Sequence, residues 1–302
     1  MKPWLLKLHR WLALVFAAPL AVVVGTGLIL SFEPWIAGRA VHPGALTVET
    51  VQSLLRSHDP SGRAQSIAYR GYDGTLTIGG GRGGGILVDA ASGQVRATPS
   101  TLASVLVTAR RLHETLLLDA GWLVVASTTA MLAMALLGIL LGLPRLANTV
   151  SGWHKAMAWG LLPLLVLSPL TGLLLWGGVT FSGPPPGNAT GQRPSLIEAV
   201  RLVGEKHDLS GLVWIRSRGG RLLARVIENG EYRVLSVGPA GAVPMPRNWP
   251  RLWHEGTFAG PWSAWMNIVT SAAMIGLLAT GLWIWLSRRL RRRIPRRSPA
   301  PA

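Results

Sequence analysis

Apolar residues dominate four long stretches of the chain, which polar segments separate. These stretches are residues 11–36, 116–143, 156–179 and 261–286. A helix needs about 20 mostly apolar residues to cross the hydrocarbon core of a bilayer. The pattern therefore predicts a membrane protein built as an all-α bundle of four spanning helices.

The polar segments after the first and third spans carry a different pattern. Residues 47–57 and 195–206 have helical periodicity, and each is followed by short runs typical of strands. The predicted strands are residues 65–69, 75–78 and 85–88 in the first segment, and 211–215, 221–227 and 232–237 in the second. We expect each segment to form a small α+β unit outside the membrane.

The two halves of the chain share a spacing of polar and small residues. His9 precedes Gly27 by the same number of residues that separates His154 from Gly172, and a threonine precedes each glycine. The run RLHE at residues 111–114 also resembles RLWHE at residues 251–255, with one insertion. The chain is therefore predicted to be an internal two-fold repeat of span, outer unit and span.

These patterns divide the chain into eight predicted segments. They are the transmembrane helices 1–36, 113–143, 156–179 and 254–287, the outer units 37–112 and 180–253, the turn 144–155 and the basic tail 288–302. Lys and Arg residues precede the first span, lie in the turn and follow the last span, and such residues tend to stay in the cytoplasm. We therefore expect a multi-pass membrane protein with both termini cytoplasmic and both outer units on the opposite side of the membrane.

Composition narrows the choice of partners and metal ligands. The formal net charge is +17, which would suit nucleic acid, but the densest arginine run directly follows an apolar span. That position favours a membrane protein with no nucleic-acid partner. The chain has no cysteine, so disulfides, thiolate metal sites and covalent haem attachment through CxxCH are excluded.

One histidine lies near the N-terminal end of each predicted span. Because neighbouring spans run in opposite directions, His9 and His154 should lie near the cytoplasmic face, and His113 and His254 near the opposite face. Paired imidazoles from facing helices are the axial ligands of a six-coordinate b-type haem. The histidines therefore predict two haem b groups, one near each side of the membrane.

Other interpretations of these residues stay open. Arg10 and Lys155 follow the cytoplasmic pair and can neutralise haem propionates, or they can simply mark the cytoplasmic side. A histidine at a membrane boundary is commonly an interfacial polar residue, and glycines in spans also serve plain helix packing. No residue is identified as catalytic.

The residues around the histidines resemble a known family. LHRWL at residues 8–12, LHE at 112–114, WHEG at 253–256 and the turn VDAASG at 88–93 are similar to the PepSY-associated transmembrane family. Its iron-regulated members include inner-membrane siderophore reductases with two haems. The resemblance implies a protein of the bacterial inner membrane whose outer units are periplasmic and PepSY-like. It further implies electron transfer to a periplasmic acceptor such as a ferric siderophore. It also implies that His9 and His154 hold one haem iron and His113 and His254 the other.

The resemblance leaves the electron donor and the competing functions to be considered. The chain has no GxGxxG strand-turn-helix unit, so a membrane quinol or a separate cytoplasmic flavoprotein is the expected donor. The alternative is a membrane-anchored PepSY protein that binds or regulates a partner without redox activity. A transporter is disfavoured because the centres of the spans lack acidic residues for ion coupling.

Overall fold

The structure is a computed structural model that describes residues 2–79, 84–117, 119–143, 147–183 and 193–293. Part of the predicted turn (144–146) and part of the predicted basic tail (294–302) lie outside the described residues. The chain divides into two compact units. The first contains Met1–Leu28, Arg110–Gly177 and Ile268–Ala302, and the second contains Ile29–Ala109 and Gly178–Asn267.

The helices and strands alternate in blocks along the chain. The helices are α1 (Lys2–Val15), α2 (Ala17–Ser31), α3 (Glu33–Arg39), α4 (Val48–His58), α5 (Thr101–Thr115), α6 (Gly121–Leu140), α7 (Val150–Gly160), α8 (Leu162–Trp176), α9 (Leu196–Gly204), α10 (Trp249–Glu255) and α11 (Pro261–Arg293). The strands are β1 (Ser66–Arg70), β2 (Thr75–Gly79), β3 (Gly85–Asp89), β4 (Leu212–Arg218), β5 (Arg221–Glu228), β6 (Glu231–Gly238) and β7 (Gly241–Pro244).

Three helical stretches among the described residues are long and apolar enough to cross a membrane. They are Ala17–Arg39, Gly121–Leu140 and Pro261–Arg291. The third predicted span is instead the pair α7 and α8, whose axes meet at 65°. Pro163 lies at the start of α8, and a proline there has no N–H for the preceding turn and crowds its carbonyl groups. The pair counts as a fourth span only if both bent helices cross together.

Each predicted span is preceded by a separate helix and a break. Phe16 separates α1 from α2, three residues before Pro19. After α5 the backbone is left-handed at Leu116 (φ 52°) and Leu117 (φ 63°). α10 ends at Gly256, which is also left-handed (φ 66°). The helix in front of each span is therefore a distinct element. The second span, Gly121–Leu140, is shorter than the apolar pattern indicates, whereas the last, Pro261–Arg291, is longer.

Both outer segments contribute to a single antiparallel sheet of seven strands. Its order is β3-β2-β1-β4-β5-β6-β7. β1 pairs with β4 through Ser66 and Arg216, Ile67 and Ile215, and Ala68 and Trp214. The prediction of a four-helix bundle with two small α+β units is therefore wrong. The predicted strands are present, but the first segment completes its sheet with the second one.

The helices α4 and α9 cover one face of this sheet. Each begins with a side-chain cap, since Thr47 accepts a hydrogen bond from the Thr50 N–H and Ser195 accepts one from the Glu198 N–H. Behind them lies a core of fully buried apolar side chains, which includes Val51, Leu55, Ile67, Leu76, Val200, Val203, Ile215 and Leu235. Burial of each such side chain stabilises the fold by roughly 1.5–3 kcal/mol.

Candidate functional site

The four predicted histidine ligands lie on the helices that precede the breaks. His9 is on α1, His113 near the end of α5, His154 on α7 and His254 near the end of α10. The prediction that His113 and His254 begin the spans is therefore corrected, because α5 and α10 end before α6 and α11 start. All four rings are partly buried.

The ring of His9 is held by the backbone of α6. Its Nδ1 lies 3.2 Å from the carbonyl oxygen of Met134. A carbonyl oxygen only accepts hydrogen bonds, so Nδ1 must carry the proton. In the neutral ring the lone pair is then on Nε2, the nitrogen that faces away from this anchor.

His113 is anchored to α2 in the same manner. Its Nδ1 donates to the Val23 carbonyl oxygen at 2.9 Å and lies 3.4 Å from Oγ1 of Thr26. Gly27 lies beside the ring, and a Cβ atom there would come within 3.3 Å of His113 Cε1. The glycine therefore leaves room for the imidazole to reach the helix backbone.

His154 is anchored to α11 through a threonine. Its Nδ1 lies 2.8 Å from Oγ1 of Thr280, and Leu277 is a backbone partner. The Thr280 hydroxyl donates to the Gly276 carbonyl oxygen at 2.6 Å, so its oxygen accepts the proton of His154 Nδ1. A Cβ atom at Gly281 would lie 3.5 Å from His154 Cε1, so this glycine also lines the ring.

One local arrangement recurs at these anchors. The backbone partners of the three rings, Met134, Val23 and Leu277, each lie four residues before a glycine, which is Gly138, Gly27 or Gly281. Two of those glycines follow a threonine whose hydroxyl bonds back to its own helix. Thr171 has the same internal bond, to the Leu167 carbonyl oxygen at 2.8 Å.

Sequence reasoning missed Thr280. It recognised the threonine and glycine pairs at 26–27 and 171–172 as part of a repeat, but it gave them no contact with histidine. The signal was present, since the same dipeptide recurs at residues 280–281 inside the last span. It places a hydroxyl acceptor and a gap for a ring on adjacent positions.

The structure brings His9 and His154 together. Both belong to the first compact unit, and their side chains are close enough for an electrostatic interaction with each other. Arg10 and Lys155, the residues predicted to neutralise propionates, are adjacent to them in the chain and exposed. No group of three or more His, Asp or Glu side chains in the described ranges could hold a metal ion.

His254 belongs to the second compact unit, whereas His113 belongs to the first. The backbone of His254 is fixed by Asn267, whose Nδ2 donates to the His254 carbonyl oxygen at 2.8 Å. Gly256 ends α10 tightly, because a Cβ atom there would lie 2.7 Å from the Ser263 carbonyl oxygen. These contacts fix the position of His254 at the end of α10.

Comparison with protein families agrees with the apolar helices described above. Residues 6–288 match the family described as "PepSY-associated TM region". A search of curated proteins found no match. Since the family match covers nearly the whole chain, the protein belongs to the PepSY-associated transmembrane family and is a membrane protein.

Proposed function

We propose that the protein carries two b-type haems and transfers electrons across the bacterial inner membrane to a periplasmic acceptor, with a ferric siderophore as the acceptor class. His9 and His154 would hold one haem iron near the cytoplasmic face. His113 and His254 would hold the other near the periplasmic face. When bound, haem supplies one-electron redox chemistry.

The observation that carries the proposal is the protonation state of the anchored rings. His9, His113 and His154 each donate from Nδ1 to a fixed acceptor on another helix. Histidines that bind metal generally donate their second ring nitrogen in this way, which fixes the tautomer and the orientation of the ring. The lone pair of the neutral ring is then on Nε2, the nitrogen that would bind an iron atom.

The remaining residues of the site have supporting roles. Gly27 and Gly281 give the rings of His113 and His154 access to the helix backbone. Arg10 and Lys155 would neutralise the propionates of the cytoplasmic-side haem. The chain lies in the membrane with both termini in the cytoplasm, and a quinol or a separate flavoprotein supplies the electrons.

Haem content tests this proposal directly. Protein purified from haem-replete cells should show the reduced-minus-oxidised spectrum of b-type haem, with two haems per chain. Replacing His9 or His154 by alanine should remove one haem, and replacing His113 or His254 should remove the other. His42→Ala is the matched control, because His42 is exposed and is not one of the four proposed ligands.

A colourless wild-type protein would end the redox proposal. The function to consider would then be that of a membrane-anchored protein that binds or regulates a partner. The histidines would be dispensable for that function. Loss of haem from the His42→Ala variant would show that colour reports general instability instead of ligation.

A further inference from the structure

The sheet face opposite α4 and α9 carries a group of arginines. Side chains two residues apart on a strand point to the same face, so Arg216 and Arg218 of β4 share a face with Trp214. The strand register places Arg225 of β5 directly opposite Trp214. Ile215, which points the other way, belongs to the buried core.

A single glutamate in this group is shared between two arginines. Arg225 forms an ion pair with Glu255, and Nη1 of Arg251 lies 2.6 Å from the other oxygen of the same carboxylate. The side chains of Arg225 and Glu255 are 13% and 20% exposed, so this pair is mostly withdrawn from water. One negative charge therefore serves two guanidinium groups.

Arg216 forms no ion pair of its own. Its guanidinium lies 4.1 Å above the ring of Trp214, and no ion pair involves Arg216 or Arg218 among the described residues. Partial burial and the charges of Arg218, Arg251 and Arg225 lower the pKa of Arg216, and the negative charge of Glu255 offsets them only in part. Four arginines around one carboxylate leave an excess of positive charge on an accessible surface.

We propose that this arginine cluster, formed by Arg216, Arg218, Arg225 and Arg251, binds a small polyanion with several carboxylate oxygens. Guanidinium groups bind carboxylates through paired, charge-assisted hydrogen bonds. The stacked Trp214 ring holds the Arg216 guanidinium by a cation–π contact, which does not neutralise its charge. Arg216 and Arg218 are exposed and supply the donors that meet the ligand.

A second step rests on the proposed function. If the protein reduces a periplasmic ferric complex, the cluster selects an acceptor of negative charge, namely a carboxylate-type ferric chelate. One electron from the external donor converts its Fe(III) to Fe(II). Carboxylate ligands hold Fe(II) less tightly, so the metal is released and the anionic chelator leaves.

Binding of a redox-inert anionic chelate tests the cluster. The probe is gallium(III) citrate, titrated by calorimetry into the full-length protein in a neutral detergent at low salt. Wild type should bind saturably, and the affinity should fall as salt is added. Arg216→Gln should weaken binding by about tenfold or more, which is the size expected for a lost charge-assisted contact.

Arg56→Gln is the matched control, because Arg56 is an exposed arginine on α4, which covers the opposite face of the sheet. It should bind like wild type. Arg218→Gln provides a second variant in case Arg216→Gln fails to fold. The gallium complex of desferrioxamine B, which carries a positive charge, should not bind.

Equal binding by wild type and both cluster variants would overturn the proposal, as would equal weakening by Arg56→Gln. Wild type that binds the cationic complex as tightly would also overturn it. If the cluster binds a lipid headgroup instead, Arg216→Gln should purify with less bound phosphatidylglycerol than wild type, while its binding of gallium citrate stays unchanged. That result would also overturn the proposal. The gallium probe is not reduced, so its binding does not depend on haem. A wild-type protein that binds the probe but contains no haem would refute the proposed function and support the anion site.

Discussion

The most informative residues are the partners of the histidines rather than the histidines themselves. A histidine near a membrane boundary has many possible roles, but an acceptor that fixes Nδ1 as a donor narrows them. Thr280 does so for His154 with a hydroxyl, whereas His9 meets the Met134 carbonyl oxygen and the residue before Gly138 is Leu137. The two rings of this pair are therefore anchored by acceptors of different strength.

Replacing Thr280 by valine should release His154. The change keeps the shape of the side chain but removes the acceptor 2.8 Å from Nδ1. We expect about a tenfold loss in haem affinity, the lower end of the effect of losing a partner of a metal ligand. The measurement is haem retention during dilution, together with the ¹⁵N chemical shift of the His154 ring in protein prepared without haem.

Thr129→Val is the matched control for this prediction. Thr129 also bonds back to its own helix, with Oγ1 donating to the Val125 carbonyl oxygen at 2.9 Å, but its side chain is exposed. It should leave both measurements unchanged. A His154 ring signal that is identical in Thr280→Val and wild type would show that Leu277 alone holds the ring.

At the scale of elements, short-range patterns identified most helices and strands. Thr47 and Ser195 mark the starts of α4 and α9, and the alternation around Ile67 and Ile215 marks β1 and β4. The short strand β7 was missed, since four residues ending in a proline carry little periodicity. The breaks before the spans were missed as well, although Pro163 indicated one of them, because hydropathy does not distinguish two apolar helices from one.

The turn between β1 and β2 predicts an acid sensitivity of the second unit. Asp73 accepts hydrogen bonds from the Ser100 N–H at 3.1 Å and the Thr75 hydroxyl at 2.9 Å, and its side chain is 1% exposed. Burial raises the pKa of this carboxyl group, but the hydrogen bonds and Arg96 outweigh burial, so the pKa lies below 3.8. A carboxyl group whose pKa is lower in the folded state than in the unfolded state stabilises the fold at any pH above its unfolded-state pKa. That stabilisation is lost as the pH falls through its folded-state pKa.

We therefore expect the second unit to lose stability as the pH falls below about 4, the value for an unfolded aspartate. Asp73→Asn should flatten this dependence and cost about 1–3 kcal/mol at neutral pH, because the buried donors lose a charged acceptor. Hydrogen exchange of the β2 amides measures both effects. Glu205→Gln, at the exposed residue that follows α9, is the control, and an unchanged pH slope in Asp73→Asn would contradict the prediction.

At the scale of the whole molecule, the shared sheet is what the sequence could not reveal. Each outer segment contains enough strand pattern for a small sheet of its own. Nothing local specifies that Ser66 pairs with Arg216 across two apolar stretches. Pairing between distant strands depends on how the intervening helices place the segments, and that information is not periodic.

The shared sheet predicts that the two halves need each other. A chain divided within residues 144–146 gives an N-terminal fragment with β1 to β3 and a C-terminal fragment with β4 to β7. Expressed together, the fragments should copurify with a protease-resistant β1. Expressed alone, the N-terminal fragment should be degraded, because β1 exposes an unpaired edge. A resistant β1 in the lone fragment would show that the first segment folds independently.

The pairing of β1 with β4 also sets the order of events during synthesis. β1 leaves the ribosome well before β4, which is made only after α6, α7 and α8 have been translated. Throughout that interval the edge of β1 that pairs with β4 in the finished protein is unpaired. The newly made protein is thus most vulnerable to aggregation and to chaperone capture on the side of the membrane where that edge emerges, until the second half arrives to close it.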